Sequence, residues 1–268
     1  MTNILFTAFS NRTDALELAE EAVTRLADLG IESSTHLLDQ GVTAPLDSTS
    51  LVISLGGDGT FLRSARLAHA HGARVLPVNL GRMGFLLPVP SDQIIASVKS
   101  ALDTPRVVER LALSITIEGE STVDFALNEV VIERPRVGSM VRVRTFVGDD
   151  EFLTYSADGV LVSTPTGSTA YNFSAGGPVV DTDLAVFIIT PIAPHFTIDR
   201  SIVVDADKTV RLVALRPAAV VADGTEIGVL APGQVVLVSR SPSPVRVVYT
   251  GAFELGVRLR QNLREGHA

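Results

Sequence analysis

Cysteine is absent from this 268-residue chain, which excludes disulfides and thiolate-held metal centres. Lysine is nearly absent: Lys99 and Lys208 stand alone, and the GxxxxGKS/T phosphate loop does not occur. No apolar run approaches the ~18 residues that a membrane-spanning helix needs. The amino terminus, MTNILFTAF, lacks both a basic region and a long apolar core, so it is not read as a signal peptide. A soluble, cytoplasmic protein is expected. The formal net charge of −8 argues against a general nucleic-acid or anionic-membrane surface, though not against a local anion site built from backbone N–H groups. His69 and His71 lie two apart on an expected helix and do not face each other, so a metal-hydrolase reading lacks ligands.

What is present is apolar and well punctuated. Hydrophobic residues make up 46% and charged residues 19%, the composition of a fully folded chain long enough for two modest domains. Ile4–Ala8 reads as a strand, and Thr13 is placed to cap a helix carrying Ala15, Leu18, Ala19, Ala22, Leu26 and Leu29, stopped by Gly30. Strands follow at Ile31–Leu38, Leu51–Leu55 and Arg74–Val78, with helices at 60–71 and 91–102. This order predicts a Rossmann-like α/β domain with a mainly parallel sheet over residues 1–108. Asn79–Pro90 reads as a Gly/Pro-punctuated loop. From 109 to 249 nearly everything is short, β-rich and broken by turns, which predicts an all-β, sandwich-like domain. A closing helix in 250–268 is expected to return to the first domain.

Three stretches carry chemistry. LVISLGGDGTFLR (51–63) is a buried strand, a Gly-rich turn and a helix start, a junction at which backbone N–H groups meet phosphate well. Asp58 is out of place against a phosphate, and three readings stay open: it handles a proton, sits near a metal ion, or caps the helix. Asn128 and Glu129 interrupt an apolar run from Phe125 to Ile132, either at an exposed strand end or to hold a polar ligand. DGVLVSTPTGSTAYNFSAGGPVV (158–180) is a buried strand, a hydroxyl-dense turn at 163–168 and a short helix at 169–175. That helix start is a second phosphate- or ribose-friendly surface. Thr166 as a cap and Tyr171 as a core aromatic are the structural alternatives.

GGDGT (56–60), NLGRMGFL (79–86), Asn128–Glu129 and DGVLVSTPTGSTAYNFSAGGPV (158–179) together resemble the NAD kinase family in order and spacing. GGDGT alone is shared with phosphofructokinases and diacylglycerol-type lipid kinases; the other motifs are more specific. The resemblance implies phosphoryl transfer from ATP, or from polyphosphate, to the adenosine ribose 2′-hydroxyl of NAD, with Mg²⁺ on the donor phosphates and no metal ligand assigned among side chains. It implies Asp58 as proton acceptor and Gly59 against the acceptor nucleotide. Asn128, Glu129, Asp158, Thr166, Thr169, Ala170, Tyr171, Asn172, Phe173 and Ser174 are implied as the NAD wall. Gly57, Thr60 and Arg63 are the phosphate-side candidates. A homodimer or homotetramer is implied, with no nucleic-acid or membrane partner. Ser156 and Thr225 depart from the family pattern and bear on NAD contacts. The competing readings are a GGDGT-type lipid or alcohol kinase and a non-enzymatic nucleotide-binding regulator.

Overall fold

The structure is a computed structural model and describes residues 3–40, 49–80, 89–195 and 198–249. The expected helix in 250–268 and residues 81–88 of the Gly/Pro loop lie outside these. The chain begins with β1 (Asn3–Ala8), α1 (Thr13–Ala27), β2 (Ser33–Leu37), β3 (Thr49–Gly56) and α2 (Asp58–Ala70). Next come β4 (Arg74–Asn79), β5 (Val89–Pro90), α3 (Ile94–Asp103) and β6 (Arg106–Arg110). The β-rich part follows with β7 (Leu113–Ile117), β8 (Val123–Ala126), β9 (Glu129–Glu133), β10 (Val141–Val147), β11 (Asp150–Ala157) and β12 (Gly159–Ser163). After the single turn α4 (Tyr171–Ser174) come β13 (Val186–Ile192), β14 (Ile202–Asp205), β15 (Val210–Ala214), β16 (Ala218–Ala222), β17 (Thr225–Leu230), β18 (Val235–Arg240) and β19 (Val245–Tyr249). Two compact units divide the chain at 109/110 and 244/245, and β19 belongs with the first.

In the first unit the sheet order is β2-β1-β3-β4-β19-β6, with β5 also on β4. The pairings of β1 with β2 and β3, and of β4 with β3, β5 and β19, are all parallel. Alternate side chains of β1 and β3 point to opposite faces. Ile4, Phe6, Leu51 and Ile53 pack with Ala15, Ala19, Ala22 and Leu26 of α1 and Ile94 and Val98 of α3. From the other face Thr7 meets Ser64 of α2, hydroxyl to hydroxyl at 2.8 Å. The helices therefore cover both faces, which is why β3 reads as continuously apolar. Two local expectations are corrected. Thr13 is the first helical residue rather than the cap; Arg12 takes the cap position, its carbonyl accepting the N–H groups of Ala15 and Leu16. Leu29 lies beyond the helix end and is exposed.

The second unit is a sandwich of two antiparallel sheets, β11-β10-β15-β18-β7-β8 and β14-β13-β12-β9-β16-β17. Its core draws from both, with Ile115, Val143, Leu212 and Val236 from one and Ile132, Val160, Ile189 and Val220 from the other. The expected single strand from Phe125 to Ile132 is two strands. The backbone bends at Leu127–Asn128, and β8 and β9 belong to different sheets. Strand corners of this kind join the layers of a sandwich. Residues 245–249, grouped by sequence with the β-rich domain, instead form a strand of the first unit's parallel sheet.

Candidate functional site

In the first unit the Gly-rich turn joins β3 to α2. Gly57, in an extended conformation, occupies the cap position, and Asp58 is the first residue of the helix. Asp58 is therefore not the cap, which removes the blandest of its three readings. It is half-buried, Gly59 beside it is exposed, and among the described residues nothing lies within 4 Å of where a Cβ on Gly57 or Gly59 would project. Gly56 is different: an added Cβ would meet the Thr60 side chain, with Thr60 Cβ at 2.8 Å. Thr60 is buried against that glycine. Below it Thr7 Oγ1 and Ser64 Oγ share a hydrogen bond at 2.8 Å, and the proton not used there goes to a carbonyl, that of Thr60 at 2.8 Å from Ser64 Oγ or that of Ile53 at 3.1 Å from Thr7 Oγ1. These hydroxyls fix the first turn of α2 to the sheet, so the carboxylate of Asp58 and the open N–H end of the helix are held on a rigid support. Arg63 lies exposed one turn along.

In the second unit the organising point is the bend at Leu127–Asn128. Asn128 and Glu129 stand at a strand start but are buried, which rules out the solvated strand end. Their backbone is gripped from two sides. On one side Thr164 N–H donates to the Asn128 carbonyl at 2.9 Å, Ser163 Oγ to the same oxygen at 3.2 Å, and Thr164 Oγ1 to the Leu127 carbonyl at 2.6 Å. On the other, Asp223 Oδ2 accepts the Leu127 N–H at 2.7 Å, while Oδ1 accepts those of Asn128 and Glu129 at 2.8 and 3.3 Å. What the side chains offer is left over: among the described residues, Asn128 Oδ1 and Glu129 Oε2 are buried with no hydrogen-bond partner. Buried polar atoms are nearly always satisfied, so two unpartnered atoms on consecutive residues leave an unused acceptor and an unused carboxyl oxygen at this bend.

Burial, then the neighbouring Asp223 carboxylate, push the Glu129 carboxyl up to about 8, while the Tyr171 backbone N–H pulls the other way. The folded chain thus holds a proton that the unfolded chain releases near its ordinary value of 4.5, and unliganded stability falls as pH rises from 4.5 to about 8. Glu129→Gln cannot ionise. The melting temperature of the variant relative to the wild type is expected to climb over that interval in thermal scans without nucleotide; parallel curves would sink the assignment.

The hydroxyl-dense stretch is not a helix start aimed at a phosphate. It is a 3₁₀ turn at Thr166–Thr169 followed by the four residues of α4, and several of its hydroxyls point inward. Thr164 Oγ1 also accepts the Gly167 N–H at 3.1 Å, and Ser168 Oγ both accepts from and donates to the Val180 backbone. Asn172, expected on the NAD wall, is fully buried, and its amide is engaged by protein groups. Nδ2 donates to the Ser168 and Pro178 carbonyls, and Oδ1 accepts from Thr190 at 2.7 Å. Asn172 therefore holds the turn closed rather than facing a ligand. Thr166 is buried, Thr169 and Ala170 are half-buried, and Tyr171, Phe173 and Ser174 are exposed, so Tyr171 is not a core aromatic.

Asp158 lies at the opposite end of the same strands, since Gly159 pairs with Glu133 and Ser163 with Glu129. Arg134 Nη1 binds it at 3.2 Å. A pocket of about 320 Å³ opens there, lined by Asp158, Arg134, Glu133, Tyr171 and Ile192 among others. Tyr171 links the two ends, with its N–H on the Glu129 carboxyl and its side chain on this pocket. Sequence reasoning missed Arg134 and Asp223. Arg134 has no distinguishing local pattern. Asp223 does: Asp-Gly between two apolar runs marks a two-residue hairpin, and here both residues have positive φ, 46° and 75°. Among the described residues, no cluster of three or more His, Asp or Glu side chains could hold a metal ion.

Residues 1–105 match the family model described as the ATP-NAD kinase N-terminal domain, and residues 127–250 match that of the ATP-NAD kinase C-terminal domain. The NAD kinase of Heliobacterium modesticaldum is 39% identical over 251 residues, covering 91% of this chain and 87% of that protein. NAD kinase 1 of Streptomyces coelicolor is 36% identical over 295 residues, covering 92% and 80%. Among solved structures, an NAD kinase from Archaeoglobus fulgidus in complex with ATP aligns with a TM-score of 0.74 at 28% identity, over 99% of this chain and 98% of that one. Yeast NADH kinase complexed with NADH aligns with a TM-score of 0.86 at 21% identity, over 98% and 88%, a likeness of fold.

Proposed function

The chain belongs to the NAD kinase family, and from that premise we propose that it transfers the terminal phosphoryl group of ATP to the adenosine ribose 2′-hydroxyl of NAD, giving NADP and ADP. The observation that carries the reading on this chain's own residues is the pair of buried, unpartnered atoms, Asn128 Oδ1 and Glu129 Oε2. An amide oxygen and a protonated carboxyl suit ribose hydroxyls or nucleobase edges, not an acyl chain. A lipid kinase has no use for them.

In the proposed reaction Asp58 takes the 2′-hydroxyl proton as the ribose oxygen attacks the terminal phosphorus. The bond from that phosphorus to the bridging oxygen breaks, and ADP leaves with the electron pair. Phosphoryl transfer asks little covalent chemistry of a protein; positioning and charge stabilisation dominate. We assign the phosphates to the N–H groups of the Gly57–Thr60 turn, with Arg63 as the nearest cation in sequence. Asn128, Glu129, Thr166, Thr169, Ala170, Tyr171, Phe173 and Ser174 are assigned to NAD, with Asp158 beside Tyr171. A divalent cation, Mg²⁺ in this reading, accompanies the donor phosphates, as is general for phosphoryl transfer. Among the described residues no helix is long and apolar enough to cross a membrane. A cytoplasmic homo-oligomer is part of the proposed reading and rests on the family resemblance alone.

The test is NADP⁺ formation from NAD⁺ with ATP or polyphosphate and Mg²⁺, followed by a NADP-specific dehydrogenase. Product with either donor supports the reading. No product with any donor, alongside turnover of diacylglycerol, would replace it with the lipid-kinase alternative.

A further inference from the structure

Asp223 stands far in sequence from every motif of the reaction, yet it touches the backbone that carries two of the assigned nucleotide contacts. Its carboxylate accepts three consecutive N–H groups, those of Leu127, Asn128 and Glu129, at 2.7, 2.8 and 3.3 Å. Those N–H groups lie where the chain leaves one sheet for the other, so within that bend no ladder supplies them with acceptors. The grip is mutual: the Asp223 N–H donates to the Glu129 carbonyl at 3.0 Å. Hydrogen bonds to an ionised acceptor are shorter and stronger than neutral ones. The hairpin presents the carboxylate through a left-handed backbone at Asp223, φ 46°, which few residues other than Asn, Asp and Gly adopt readily.

We propose that Asp223 is a positioning residue of the nucleotide site: by fixing the 127–129 backbone at the sheet change, it sets where the Asn128 and Glu129 side chains meet NAD. This rests on the assignment of that pair to NAD. Asp223 reaches no ligand itself. It acts through the main chain, opposite the grip of Ser163 and Thr164 on the Leu127 and Asn128 carbonyls. It also bears on the Glu129 carboxyl by charge. From the other elements against Glu129, β12 brings Ser163 as its cross-strand partner, without charge, and α4 brings the Tyr171 N–H and phenol.

Asp223→Asn tests this, because Asn tolerates the same turn but replaces one acceptor oxygen with a donor facing the 127–129 N–H groups. The KM for NAD is expected to rise about 10- to 100-fold, the loss of a charge-assisted hydrogen bond, with the KM for ATP unchanged. A ¹³C-carboxyl NMR titration of Glu129 should show its proton leaving at lower pH than in the wild type. Asp223→Gly relaxes the turn but restores neither effect. If Asp223 only stabilised the hairpin, Asn would lower the melting temperature and the active fraction while both KM values stayed put, and the proposal would fall; the Glu129 titration moves in either case, because the charge beside it is gone. If the wild type forms no NADP⁺, the kinase reading fails by itself; the NAD dissociation constants of the wild type and Asp223→Asn then decide the positioning role.

Discussion

Asp58→Asn is expected to lower kcat by about 10²- to 10⁴-fold, the usual contribution of a positioned general base, while NAD still binds. The size of the loss matters because the competing explanation predicts so little. Asp58 is the first residue of α2 and Gly57 holds the cap position, so no cap is removed by the substitution. The substitution also removes one negative charge near the positive end of a helix dipole, which contributes about 0.3–1 kcal/mol to stability. A 10²- to 10⁴-fold loss corresponds to about 3–5 kcal/mol of barrier. Thermal melting and isothermal titration with NAD, run beside the kinetic assay, therefore separate the two. Near-normal turnover in the variant would end the assignment of Asp58 as base and leave the activity without one.

Gly167→Ala is expected to damage the nucleotide site as thoroughly as removing its side chains. An alanine Cβ would fall on the Asn128 carbonyl group, with the carbonyl carbon at 2.5 Å and Ser163 Oγ at 2.6 Å. A clashing side chain could rotate away; this carbonyl cannot, because it accepts from both Thr164 N–H and Ser163 Oγ. Relief must come from separating the 163–168 turn from the bend at Leu127–Asn128. Overpacking costs about 1–3 kcal/mol in general, and a backbone obstacle puts this case at the upper end. The predicted readouts are a lower melting temperature, a weaker NAD affinity and a turnover reduced by about two orders of magnitude, since a shift of about 1 Å at a positioned group costs about that much in rate. A variant with wild-type affinity would show that the turn and the bend move independently.

The parts of the site legible from sequence are those whose causes are local. The β3–α2 turn announces itself because a buried parallel strand, three glycines and a helix start are adjacent in the chain. The sandwich is legible from its short strands and frequent turns. Missed features depend on distant partners. Phe125–Ile132 reads as one strand because apolar side chains line both sides of the bend; only the pairing of β8 and β9 with different sheets reveals the corner. Asp223 meets residues more than 90 positions away, and nothing in ADGTEIG says which N–H groups its carboxylate accepts. The family resemblance implies Asn172 as part of the NAD wall; its partners Pro178 and Thr190 are visible only in the folded chain.

The placement of β19 has a consequence for biosynthesis. The first unit's sheet is interrupted by the entire sandwich: β4 receives β19 at Arg74 and Val75 and β5 at Val78 and Asn79. On the ribosome the sandwich, residues 110–244, emerges as one uninterrupted stretch and can close before β19 is made. Until then the edge of β4 at Arg74 and Val75 waits unpaired, an aggregation-prone state. The unit that carries Asp58, although synthesised first, is the second to be completed.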